Sequence, residues 1–162
     1  MESYVLSVIV DNNPGVLTRV CQLFNRRAYN LESVTAGVTE NNSISRLTLI
    51  TKVEECNEID QIVKQLRKLE NVHSVSKLLN NNMLCKEIMF MKVSATDETR
   101  AQLMSVINIF KAEVIDAAKS DVIIQITGDE SKLKVFQELV EPFGILEVVS
   151  SGYIAINRSQ II

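Results

Sequence analysis

The sequence predicts an α+β protein made of two tandem β-α-β-β-α-β units. Three observations carry that expectation. The helical template of apolar residues at i, i+3, i+4 and i+7 occurs four times in the 162 residues. Runs rich in Val, Ile and Thr, with strand character, lie between the helical segments. The polar triplet Asn80-Asn81-Asn82, poor in both helix and strand preference, divides the chain into two similar halves.

In the first half, Tyr4–Val10 alternates as a strand. A helix follows with the stripe Leu17, Val20, Cys21 and Phe24. Strands over Leu31–Val38 and Ser45–Val53 come next, then a helix with Ile59, Ile62, Val63 and Leu66, then a strand over Val72–Leu79. The second half repeats the order. Strand Glu87–Ser94 leads to a helix with Leu103, Val106, Ile107 and Phe110. Strands Glu113–Ala117 and Val122–Thr127 lead to a helix with Phe136, Leu139, Val140 and Phe143. A last strand starts at Leu146–Val149 and continues through Tyr153–Asn157. Asp97-Glu98 and Asp129-Glu130 are expected at the starts of the third and fourth helices, where negative charge favours the dipole. The domains are therefore 1–79 and 80–162. Each closes as a four-stranded antiparallel sheet with two helices on one face.

A unit of this size, about 75 residues, has a marginal core. In the first strand Tyr4, Leu6, Val8 and Val10 point one way, and Val5 and Ile9 the other. With both faces apolar, a one-sided sheet leaves greasy surface in water. Association through sheet faces or edges is the expected remedy.

Composition excludes several classes. Apolar residues make up 46% and charged residues 23%, and the net charge is −3, which is ordinary globular composition. No long basic block favours nucleic acid. No apolar run is long enough to span a membrane. Cys21, Cys56 and Cys85 are odd in number and far apart, which fits a reducing compartment. Met1-Glu2-Ser3 opens directly into a strand pattern, without a basic leader. A soluble, cytoplasmic product is expected.

The segment Asp11-Asn12-Asn13-Pro14-Gly15-Val16-Leu17 joins the first strand to the first helix. Such a turn points backbone N–H groups outward at the positive end of a helix dipole, a ready site for a small carboxylate or phosphate. A plain helix start, with Asn13 as cap and Pro14 at the first helical position, accounts for the same residues. Gly15 lacks Cβ and lets a ligand reach the backbone. Amide and backbone oxygens near Asn12 and Asn30 can take an ammonium, and no strong positive charge nearby suits a phosphate. A neutral zwitterion fits best. Charge-assisted hydrogen bonds of roughly 1.5–3 kcal/mol each, set against immobilisation, suit affinities on the order of micromolar to millimolar.

Catalytic constellations are nearly absent. His73 is the single histidine and reads as a surface or turn residue. With no second His or Cys pair, a metal site lacks support. Glu54-Glu55 reads as solvated strand-end punctuation. RNA binding on this topology needs exposed aromatics on the central strands, yet Arg46-Leu47-Thr48-Leu49 has none. An acylphosphatase-type hydrolase needs an arginine in a phosphate cradle after the first strand. Asp11-Asn12-Asn13-Pro14 offers an acidic residue instead.

The run Asp11 to Val20, followed by Leu23-Phe24-Asn25-Arg26-Arg27-Ala28-Tyr29-Asn30-Leu31-Glu32-Ser33, closely resembles the N-terminal ACT domain of acetolactate synthase small (regulatory) subunits. Ser45-Arg46-Leu47-Thr48, Glu87 to Val93, Thr127-Gly128-Asp129, Pro142-Phe143-Gly144-Ile145 and Ser151-Gly152 extend the resemblance along nearly the whole chain. It implies two ferredoxin-like domains, the first an ACT domain, in a non-catalytic homodimeric subunit. That subunit would bind and activate a large catalytic subunit and confer feedback inhibition by valine or a related branched-chain amino acid. Thiamine diphosphate, magnesium and FAD would sit on the catalytic partner, with no cofactor in this chain. The resemblance also implies an effector pocket: Asn12, Gly15, Val16 and Leu17 at the carboxylate end, Asn30 and Leu31 from either protomer closing it, and Ala36 and Gly37 lining the side-chain end. Ala28 stands where the family usually has glycine. If φ is positive there, alanine is strained by roughly 1 kcal/mol. A stand-alone ACT-type sensor controlling another enzyme or a transcription factor is the alternative reading.

Overall fold

The computed structural model describes residues 2–54, 56–79 and 81–158. Glu55 of the acidic pair and Asn80 of the polar triplet lie outside them. The chain divides into two compact units. One runs to Cys85 and resumes at Tyr153; the other is Lys86–Gly152. Beside the boundary expected after Leu79, the Asn82 N–H donates to Leu79 O at 2.9 Å.

The first unit contains β1 (Glu2–Asp11), α1 (Val16–Arg26), β2 (Asn30–Val38), β3 (Ile44–Val53), α2 (Cys56–Leu66) and β4 (Val72–Leu78). The strands pair antiparallel in the order β2-β3-β1-β4, the ferredoxin-like arrangement. Strand β1 takes a central place because both of its faces are apolar. Leu6, Val8 and Val10 pack with Leu47, Leu49 and Val75 beneath Val20 and Phe24 of α1 and Ile59, Ile62 and Leu66 of α2. One expectation shifts by a residue: Val16 is buried and Leu17 is 43% exposed. Val16-Val20-Phe24 and Leu17-Val20-Phe24 both satisfy helical spacing. The angle at which α1 leaves the Pro14-Gly15 turn chooses between them.

The second unit is built from β5 (Met83–Ser94), α3 (Arg100–Phe110), β6 (Glu113–Ala117), β7 (Asp121–Gly128), α4 (Glu130–Val140) and β8 (Ile145–Ser150). Its order is β6-β7-β5-β8. Met89, Met91, Val93, Val122, Ile124 and Ile126 pack against Leu103, Ile107, Leu133, Phe136 and Val140. In α4 the buried stripe is Leu133-Phe136-Val140, with Leu139 exposed. Phe143 falls in a single 3-10 turn, Glu141–Phe143, beyond the helix.

Helix starts differ between the two repeats. Asp129 caps α4 as expected. Its carboxylate accepts from the Lys132 N–H (3.0 Å), the Ser131 hydroxyl (2.7 Å) and Lys86 Nζ (3.3 Å). Asp97 and Glu98 instead lie in the turn before α3, whose first turn holds no acidic residue. Thr99 Oγ1 accepts from the Thr96 N–H at 3.1 Å, which winds one turn of chain ahead of the helix. The hydrogen bonds to Asp129, from Ser131 first and then the Lys132 backbone, lower its carboxyl pKa to about 2. A folded-state pKa below the unfolded value stabilises the fold above pH 3.8 and loses that contribution as pH falls through about 2. Asp129→Ala is expected to cost about 1 kcal/mol at neutral pH. The difference from wild type in urea denaturation should shrink between pH 4 and pH 2.

The face of the first sheet opposite its helices was expected to need a second molecule. The chain covers it with its own end. Strand β9 (Ile154–Asn157) pairs with β5. Ala155 is buried with Val5, Ile50 and Leu78, and Met83, Cys85 and Tyr153 pack against them. The terminal segment is thus not a continuation of the last strand. The chain turns at Ser151-Gly152, where Gly152 has φ +75° and its N–H donates to Oε1 of the buried Glu87 at 3.0 Å. Tyr153 N–H then donates to Ser33 Oγ at 3.3 Å, and Arg158 N–H to Asn82 O at 2.9 Å. Local alternation is the same in either arrangement. The pairing that separates them is long-range.

Candidate functional site

The β1–α1 turn is held from both sides. The Asp11 N–H donates to Asn71 O (3.0 Å) and the Asn12 N–H to Ser43 O (2.8 Å). The Asn12 side chain clamps the β2–β3 turn: Nδ2 donates to Asn42 O at 2.9 Å, and Oδ1 accepts from Ser45 Oγ at 3.1 Å. Asn12 therefore anchors the turn first, with one carbonyl lone pair left for a ligand.

The helix starts later than a plain Asn13 cap requires. Its cap is Gly15, at φ 84° and ψ −9°, with no side-chain hydrogen bond closing the helix end. The Val16 N–H reaches Asn13 O at a long 3.4 Å. Among the described residues, the N–H groups of Gly15, Leu17 and Thr18 have no backbone acceptor. Nothing lies within 4 Å of where a Gly15 Cβ would stand. Val16 offers only its backbone because its side chain is buried, whereas Leu17 offers an exposed apolar side chain.

The expected pocket residues divide into two groups. Gly37 pairs with Arg46 and Ala36 with Leu47, one and two residues along β3 from the Ser45 that Asn12 holds. They share an end of the sheet with the turn. Asn30 and Leu31 pair with Lys52 and Thr51 at the other end of β2. Asn30 and Gly37 pair with Lys52 and Arg46, six steps apart along β3, roughly 20 Å at about 3.3 Å per residue. One chain does not bring Asn30 and Leu31 to the turn. Asn30 O accepts from Thr51 Oγ1 at 2.6 Å, and Leu31 packs half-buried on the core.

Asn30 is reached through a strained bend. The Ala28 N–H donates to Asn25 O and the Tyr29 N–H to Phe24 O, both at 3.1 Å. This hydrogen-bond pattern requires a left-handed residue just past the helix. Ala28 occupies that position with φ 55°. Ala28→Gly is expected to raise stability by about 1 kcal/mol. Urea denaturation with an unchanged m-value checks it.

Sequence reasoning missed a polar cluster beside the turn. Asp11 Oδ1 lies 2.6 Å from His73 Nε2, and Oδ2 accepts from Asn71 Nδ2 at 2.8 Å. Arg19 Nη1 donates to Asn71 Oδ1. The Asn71 and His73 contacts hold the Asp11 carboxyl below its ordinary range. No local spacing announces the cluster. The signal was topological: pairing of the first and fourth strands sets Val10 beside Val72, so residues flanking that pair must meet. The cluster braces the turn without presenting a nucleophile next to a base.

Family models match both units: the AHAS small subunit-like ACT domain over residues 6–74 and the small subunit of acetolactate synthase over residues 86–159. The acetolactate synthase small subunit of Mycobacterium leprae is 39% identical over 98% of this chain and 93% of its own. That of Bacillus subtilis is 35% identical over 95% and 90%. The solved acetolactate synthase small subunit of Thermotoga maritima superposes with a TM-score of 0.92 at 33% identity, covering 99% of this chain and 100% of that one. With both repeats, the Gly15 turn and the returning strand within a likeness that spans nearly its whole length, the chain belongs to the acetolactate synthase small-subunit family.

Proposed function

We propose that this protein is a non-catalytic regulatory subunit that binds a branched-chain amino acid, valine foremost, between the ACT domains of two copies. In this reading it relays that binding to a large catalytic subunit. Occupancy lowers the partner's activity, and the empty subunit raises it. Thiamine diphosphate, magnesium and FAD belong to the partner.

One observation carries the reading: the turn with free amides and the residues that would close its pocket stand at opposite ends of one edge strand. An edge strand offers unpaired backbone groups to a second chain. Antiparallel pairing of two β2 edges about a two-fold axis at Val34, with Glu32 bulged as it is against β3, would set Asn30 opposite Gly37 and Leu31 opposite Ala36. Each turn would then meet Asn30 and Leu31 of the partner subunit. Exposed apolar groups along this edge support the pairing: Val34 is 38% and Val38 55% exposed. The effector's carboxylate would take the free amides around Gly15. Its ammonium would take the amide oxygens of Asn12 and Asn30, and its aliphatic side chain would lie by Leu17 and Ala36.

A ligand shared by two chains favours one relative pose of those chains. Coupling of about 1–3 kcal/mol would change the partner's properties roughly 5- to 150-fold. Reconstitution with a matching large subunit, assayed with and without valine, tests the reading. Activation without valine and inhibition with it are expected. Turnover that ignores both the subunit and valine overturns it.

A further inference from the structure

Helices α1 and α2 border an open groove of about 670 Å³, separate from the Gly15 turn. Arg19, Arg26 and Arg27 line it from α1 and the residue after it; Lys68 lines it from beyond α2. Half-buried Leu23 and Leu69 lie among them, and no Asp or Glu contributes to the lining. Helix α1 contains no acidic residue, in a chain whose net charge is −3. Among the described residues, Arg26, Arg27 and Lys68 enter no ion pair, and Arg19 bonds only the neutral Asn71 amide.

Helix-dipole stabilisation accounts for Arg26 in the last turn of α1. It does not account for Arg19, which stands near the start of that helix. Arg19 and Arg26 are seven residues apart, two turns or roughly 10 Å along one face. That spacing matches carboxylates two turns apart on a facing helix, and arginine takes carboxylates bidentately. Leucines between the cations suit an apolar side chain between the acids. A nucleic acid fits less well: no aromatic residue lines the groove to stack bases, and the chain's net charge opposes a polyanion.

We infer that this groove docks an acidic, amphipathic segment of the large catalytic subunit. The inference rests on the regulatory-subunit reading above and names the surface through which that subunit is engaged.

The test uses the full-length protein and purified large subunit. Arg26→Glu with Lys68→Glu is compared with Lys119→Glu plus Lys134→Glu, an equal charge change on the second unit. Wild type and the control pair should bind the large subunit alike, with affinity falling from about 50 to about 300 mM salt. The groove variant should bind roughly 30-fold more weakly or worse and lose most of the salt dependence. Its valine heats and melting curve should stay as in wild type. If reversal unfolds the chain, Arg26→Gln with Lys68→Gln should give a smaller loss in the same direction. A groove variant that binds like wild type overturns the inference and leaves the regulatory reading standing. So does one that keeps the large subunit but loses a labelled single-stranded RNA bound by wild type. Wild type that fails to bind the large subunit at all sinks both.

Discussion

Gly15→Asp is expected to weaken valine binding at least about 100-fold, close to 3 kcal/mol, with the fold retained. Two effects add. The backbone at Gly15 is left-handed, at φ 84°, so any L residue is strained there by roughly 1 kcal/mol, somewhat less for Asp. The open space around the missing Cβ prevents a steric clash, so the domain survives. The larger effect is electrostatic. A carboxylate tethered at the cap competes for the same amide hydrogens that would receive the amino acid's carboxylate, and it repels that group. Titration calorimetry with valine reads the affinity, and a thermal melt reads the fold. Wild-type heats in a well-folded variant would remove this turn from the effector site. Gly15→Ala separates the contributions: it carries the strain without the charge and should lose far less affinity.

Phe136→Ala should cost about 3–5 kcal/mol. Phe136 is fully buried in the second core, among Met91, Ile124, Leu103 and Ile107. Its ring meets Phe110 edge-on, with centroids 5.3 Å apart and an interplanar angle of 60°. Such a pair adds roughly 0.5–1.5 kcal/mol beyond area burial. Truncation leaves a void that the flanking sheet and helix close only in part, hence the upper end of the range. Urea denaturation followed by circular dichroism gives the number. A loss below about 1 kcal/mol would mean the core repacks freely, against the close packing described above. Phe136→Leu should recover more than half of the loss, because it restores most of the volume without the ring contact.

Legibility varied with the range of the forces involved. Helix and strand periodicity is local, so all four helices and the repeated order could be read from residue spacing. The strand-to-helix turn was legible for the same reason, since Pro fixes its own φ while Gly tolerates the left-handed angles a tight turn needs. Ala28 was marked by comparison with a familiar pattern, and its positive φ follows from the hydrogen bonds that end α1. The Asp11–Asn71–His73 cluster was not legible, because its partners are about sixty residues apart and meet only through strand pairing. The choice of Val16 over Leu17 for the core escaped too. Neighbouring residues on a helix differ by 100°, and only the docked sheet selects one.

By itself, then, the sequence determined two βαββαβ repeats and a strand-to-helix turn over Asn12-Asn13-Pro14-Gly15. Backbone preference and apolar periodicity act within a few residues, and both are written in the chain directly. Tertiary structure alone decided that the end strand returns to cover the first sheet, that Asn30 and Gly37 stand at opposite ends of β2, and that cations of α1 share one groove with Lys68 beyond α2. Each depends on which distant segments pair, a choice made by burial of the whole core rather than by any local run of residues.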